Sequence, residues 1–115
     1  MVDIPRPGQP VRGSKTGAPI MALFDLLGRN WSMGIVWVLS EIGPCTFREL
    51  QAHCESISPA ALNMRLKELQ VACFVERVAD GYVLTPLGKE LYEDLVPLGA
   101  LAKKWGEELL SQPNK

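Results

Sequence analysis

Two helix starts, written close together, constrain this chain more than any other feature. Thr46-Phe47-Arg48-Glu49 is a capping box. The threonine hydroxyl can accept the N–H three residues on, and the glutamate can reach back to the cap's own N–H. Further along, Ser58-Pro59 opens a second helix: a cap hydroxyl, then a proline at the first helical position, where its missing N–H costs nothing. The first helix, with Phe47 and Leu50 facing inward, has room for only a few turns before Cys54. Glu55-Ser56-Ile57 then reads as a tight turn. A short helix, a brief turn and a longer helix from Ser58 to about Cys73 make a helix-turn-helix unit over about residues 47–72.

The longer helix has two unlike faces. Leu62, Leu66 and Leu69 recur at helical spacing and define an apolar side. Ala60, Ala61, Asn63, Met64 and Lys67 fall opposite. Small residues let a backbone approach a groove floor, and an amide and a cation can then reach base edges and phosphates. The expectation is a recognition helix in the major groove of double-stranded DNA. An ordinary amphipathic helix shows the same periodicity, so the rest of the chain has to decide.

Residues 1–17 are rich in Pro and Gly, with Arg6, Arg12 and Lys15 against Asp3. Such a stretch buries little and is expected to be a flexible basic arm, able to follow phosphates or a minor groove. Pro19 opens a first helix with an apolar stripe at Ile20, Leu23, Phe24 and Leu27, ended by Gly28. Asn30 is placed to cap a second helix from Trp31 to about Ile42, apolar nearly all round and therefore central; Gly43-Pro44 stops it. After Cys73 the period becomes extended. Phe74–Ala79 and Tyr82–Leu84 are strand formers around Asp80-Gly81, a strong hairpin signal, and give a wing over about 74–84. Thr85-Pro86 opens a last helical region, 86–111, with Leu91, Leu95, Leu98, Leu101, Trp105 and Leu109 at three-or-four spacing; Pro97 is expected to break or kink it.

The fold class expected is mostly α with a small β-hairpin: a single winged helix-turn-helix domain over 18–111 with flanking dimerisation helices. The chain resembles the HxlR family of bacterial transcription regulators, relatives of the MarR group. The resemblance rests on Pro19-Ile20, Asp25-Leu26-Leu27-Gly28 with Trp31, Gly43-Pro44 with Thr46–Leu50, Ile57-Ser58-Pro59, Leu62 with Arg65–Leu69, Phe74–Arg77, Leu84–Gly88 and Trp105-Gly106, in that order. It implies a homodimer on a two-fold-symmetric operator, with the terminal helices in the dimer contact. Three departures stand out. Members that sense thiol stress carry a cysteine before the first-helix proline, where this chain has Ala18. The wing is short and carries Asp80 at its tip. Cys73 occupies the place of the glycine that usually ends the recognition helix.

Composition agrees and excludes other classes. The chain is of single-domain size and 47% apolar, enough for one ordinary core. No apolar run is long enough to span a bilayer, and the N-terminus lacks the pattern of a signal peptide, so a cytoplasmic protein without a membrane partner is expected. Three cysteines, Cys45, Cys54 and Cys73, form no disulfide framework. The net charge of −1 gives no global basic signature, so any nucleic-acid surface must be local. His53 stands alone, and no catalytic constellation, metal-ligand pair or phosphate loop is present, so no enzyme, cofactor or metal is expected. Trp31, Trp37, Phe24, Met21 and Met33 fit either a ligand pocket or, more simply, a core or dimer interface.

Candidate DNA contacts are Arg48, Arg65, Lys67 and Arg77 on phosphates, and Ala60, Ala61, Asn63 and Met64 at base edges, with Ser58 at the start of the same helix. The alternative role for Arg65 is to cover the core edge with its stem. Candidate dimer contacts are Ile20, Phe24, Leu98, Leu101 and Trp105, because a small domain cannot bury both ends together with the second helix. The expected function is a sequence-specific transcriptional regulator, a repressor by preference. The alternative is a protein-interaction module that has lost DNA binding, since Arg48, Arg65, Lys67 and Arg77 are matched by Glu49, Glu55, Glu68 and Glu76.

Overall fold

A computed structural model describes residues 2–54 and 57–113. The order is α1 (Pro19–Leu27), α2 (Ser32–Ile42), α3 (Phe47–His53), α4 (Pro59–Val71), β1 (Val75–Val78), β2 (Gly81–Leu84) and α5 (Pro86–Ser111). The expected turn at Glu55-Ser56 lies outside the described residues.

Local chemistry accounts for most element ends. The capping box forms, with Glu49 N–H donating to Thr46 Oγ1 and Thr46 N–H to Glu49 Oε1, each at 3.1 Å. Ser58 Oγ accepts from Ala61 N–H at 3.1 Å, with Pro59 at the first helical position of α4. Thr85 Oγ1 does the same for Gly88 N–H at 2.9 Å and itself donates to the Cys73 carbonyl at 2.6 Å. The α4 helix ends two residues short of the expected Cys73, in a Schellman motif. Phe74 N–H donates to Leu69 O and Cys73 N–H to Gln70 O, both at 3.0 Å, with Cys73 left-handed at φ 69°.

The core is one cluster drawn from every element. The central helix α2 contributes Ile35, Val36 and Leu39; α3 gives Leu50; α4 gives Leu62, Leu66 and Leu69; the hairpin gives Val75, Tyr82 and Leu84; and α5 gives Leu91. The strands pair antiparallel, Val75 opposite Leu84 and Val78 opposite Gly81. Cys45 and Tyr82 exchange backbone hydrogen bonds at 3.0 and 2.8 Å, which ties the wing's inner edge to the segment before α3. Gly81, at φ 132°, lies so close to the Cys45 carbonyl that a Cβ there would collide with it.

Four expectations need correction. Asn30 does not cap α2; Trp31 stands at that position, left-handed at φ 73° and with no side-chain cap. The hairpin turn is Ala79-Asp80, and Gly81 begins β2. The C-terminal region is one helix of 26 residues running through Pro97, so the proline does not break it. The carbonyl that Pro97 leaves without an N–H donor belongs to exposed Glu93, where water can serve it. Finally, the N-terminal arm is folded rather than loose. Gly8 N–H donates to Gly17 O at 2.9 Å, Ser14 Oγ accepts from Gly17 and Ala18 N–H, and Arg12 pairs with Asp25 of α1.

Candidate nucleic-acid interface

The exposed ridge of α4 follows from where its leucines go. With Leu62, Leu66 and Leu69 buried, Ala60, Asn63, Met64, Lys67 and Val71 line up on the solvent side at helical spacing. Met64 is 47% exposed and Val71 39%. Val71 was missed by the sequence reading, although it stands one turn beyond Lys67. Ala61, expected in the groove, is half-buried and packs against the core instead. Ser58 is exposed, but its hydroxyl is engaged in the cap.

Arg65 has the alternative role at the core edge. Its Nε donates to the Asn30 carbonyl at 2.9 Å and its Nη1 to Glu68 at 2.6 Å, so these donors serve the fold. Glu68, 4% exposed, also takes Arg29 through its other carboxylate oxygen. A buried carboxylate is tolerable only when paired and hydrogen-bonded, and here two guanidinium groups do both. The pairing with Arg29 was not legible from spacing, because Arg29 approaches from the α1–α2 corner.

Arg48 and Lys67 are exposed, on α3 and α4. Arg77 pairs across the hairpin with Tyr82 and lies 5.6 Å from the centre of its ring. It shares a face with buried Val75 and Tyr82, so its stem covers the core edge while the residue stays exposed. His53 is exposed at the end of α3, and among the described residues no His, Cys, Asp and Glu side chains group as a metal site. Of the aromatics and methionines considered for a pocket, Trp37 packs edge-on against Tyr92 of α5 at 5.2 Å, and its indole N–H donates to Glu41 at 2.7 Å.

Residues 26–110 match the HxlR-like helix-turn-helix family. The chain belongs to that family. Among its relatives is YybR of Bacillus subtilis (strain 168), an uncharacterized HTH-type transcriptional regulator, 30% identical over 101 residues that cover 82% of this chain and 77% of YybR. A second such regulator, BH0655 of Halalkalibacterium halodurans, is 34% identical over 59 residues, 51% of this chain and 52% of its own length. Among solved structures, quinone-bound YodB from B. subtilis superimposes with a TM-score of 0.70 at 35% identity, over 75% of this chain and 97% of YodB. A possible HxlR family transcriptional factor from Thermoplasma volcanium gives 0.68 at 27% identity, over 77% and 85%. Five helices and a two-stranded antiparallel hairpin are thus the winged helix-turn-helix of HxlR-family transcriptional regulators, and DNA binding comes with the family. No helix among the described residues is long and apolar enough to cross a membrane.

Proposed function

We propose that this HxlR-family protein is a cytoplasmic repressor that binds a two-fold-symmetric operator as a homodimer. The observation that carries the reading is the α4 ridge: Ala60, Asn63, Met64 and Lys67 stand free of the core on a helix whose other side is sealed by three buried leucines. On this reading α4 enters the major groove. Asn63 pairs with an adenine through N6 and N7, and Lys67 meets a phosphate. Arg48 adds a phosphate contact from α3, and Arg77 one from the wing. The second copy joins along exposed Ile20, Phe24, Leu98, Leu101 and Trp105, and sets the spacing of the two half-sites. An interaction module without DNA binding is not favoured, since the family matched over residues 26–110 and the relatives named above are helix-turn-helix transcriptional regulators.

The test is fluorescence anisotropy with labelled DNA from upstream of the protein's own gene, against random DNA of equal length, across a salt series. Asn63→Ala should cost about 1–3 kcal/mol on the operator and little on random DNA. Lys67→Ala should weaken both about equally and lower the salt slope by roughly one unit per half-site. Absence of any preference for the upstream DNA in the unaltered protein would defeat the proposal.

A further inference from the structure

We infer that the cavity between the N-terminal arm, α1 and the C-terminal end of α4 binds a small, mostly apolar molecule carrying one anionic group. The cavity measures about 530 Å³, within the roughly 300–1,000 Å³ usual for small-molecule sites. Its walls come from three places: the arm over residues 4–7, α1 at Pro19, Ala22, Leu23 and Leu26, and residues 71–74 at the end of the recognition helix. Ile4, Leu23 and Phe74 are only half-buried there, and their remaining apolar surface is what an occupant would cover.

The arm's wall is built, not draped. It is pinned at one end by Arg29 Nη1, which donates to the Asp3 carbonyl at 3.4 Å, and at the other by the Gly8 N–H bond to Gly17 O at 2.9 Å. The residues between these pins, Ile4 to Pro7, include two prolines whose φ is fixed, so they hold a shape at little entropic cost. The arm residues 4–7 precede residue 26, where the family match begins.

Charge selects the class of ligand. Arg6 is exposed and lines the cavity at its mouth, and no acidic side chain among the described residues lines it. The carbonyls at the nearby end of α4, which would repel an anion, are partly spent on the Schellman bonds of Leu69 and Gln70. A carboxylate, sulfonate or phosphate on an apolar body therefore finds one guanidinium at the entrance and hydrocarbon beyond it. Arg29 also grips Glu68 of α4, so the pinned arm that walls the cavity and the recognition helix share one residue.

The test uses the full chain and two dyes of one shape: anilinonaphthalene sulfonate, which is anionic, and N-phenylnaphthylamine, which is neutral. The sulfonate dye should bind saturably, one per chain, with enhanced emission. Arg6→Gln, an exposed change that leaves packing alone, should weaken it about tenfold, the loss of one charge-assisted contact, and should leave the neutral dye unchanged. Ala22→Phe, confirmed folded by circular dichroism, should fill the cavity and abolish both; if it does not fold, the Arg6→Gln comparison decides alone. Leu110→Asp, at the exposed end of α5 and outside the proposed dimer contact, should change neither. Undiminished binding of the sulfonate dye in Arg6→Gln would put it elsewhere and overturn the inference. So would equal weakening of both dyes by Arg6→Gln, or no saturable binding.

Discussion

Cys73 shows what one side chain can reveal at the end of a helix. It sits at φ 69°, where a glycine would be relaxed and a residue with a Cβ is strained by about 1 kcal/mol. Cys73→Gly should therefore stabilise the protein, raising the thermal midpoint by about 4 °C; a lower midpoint in calorimetry would mean that the sulfur packs usefully. The left-handed site was legible because the sequence put a cysteine where the family has glycine. The second left-handed residue, Trp31, was not legible, since nothing in a tryptophan marks it for positive φ. The thiols differ as sharply. Burial pushes the Cys45 thiol up, helped by Glu49 and then Cys54, and burial alone raises that of Cys54, whereas Cys73 is exposed. A disulfide-exchange reagent at neutral pH should thus titrate one fast thiol in the native protein and none in Cys73→Ala. With Ala18 in place of the sensing cysteine, mild diamide should leave operator affinity unchanged; a reversible loss that disappears in Cys54→Ser or Cys73→Ser would refute this.

At the level of elements, the boundaries were the most legible part of the chain and the tertiary links the least. Caps at Thr46, Ser58 and Thr85 are local chemistry and appear where the sequence writes them. Glu49 shows the box at work: hydrogen bonds from the Thr46 backbone and then its hydroxyl hold the Glu49 carboxyl below its ordinary pKa. A folded-state pKa below the unfolded one means the contribution is complete above the ordinary glutamate range and vanishes as pH falls through the lowered value. The gap in midpoint between the unaltered protein and Glu49→Gln should therefore close on acidification; a gap independent of pH would show that the carboxylate charge is immaterial. In the Arg29–Glu68–Arg65 cluster the i,i+3 pair of Arg65 and Glu68 stands at readable helical spacing, whereas Arg29, 39 residues from Glu68, was illegible. Glu68→Ala leaves two half-buried cations facing each other and should cost on the order of 2–3 kcal/mol in chemical denaturation, less than for a fully buried pair because both arginines keep some water. A loss within the range of ordinary surface substitutions would show that the cluster is decorative. The arm was misjudged for a related reason: composition reports what a segment cannot bury, not which helix it can lean on.

For the whole molecule the governing fact is that α5 outruns the domain. At 26 residues it spans about 39 Å, yet its buried residues are only Gly88 and Leu91, both near its start. Leu98, Leu101, Trp105 and Leu109 are each at least 50% exposed, with Ile20 and Phe24 of α1 in the same condition. Apolar surface of that kind, left uncovered, is an interface in waiting, so sedimentation at micromolar concentration should give a dimer and Trp105→Asp a monomer; a monomer in the unaltered chain would remove the symmetric operator from the proposal. The same arrangement gives the molecule a built-in optical reporter. Trp37 is held against Tyr92 and hydrogen-bonded to Glu41 whatever the assembly does, while Trp105 is 64% open to water in a single chain. Trp31, the third tryptophan, is 38% exposed and lies outside the proposed dimer contact. On dilution, intrinsic emission should therefore shift to the red through Trp105, and a Trp105→Phe protein should keep its colour at every concentration.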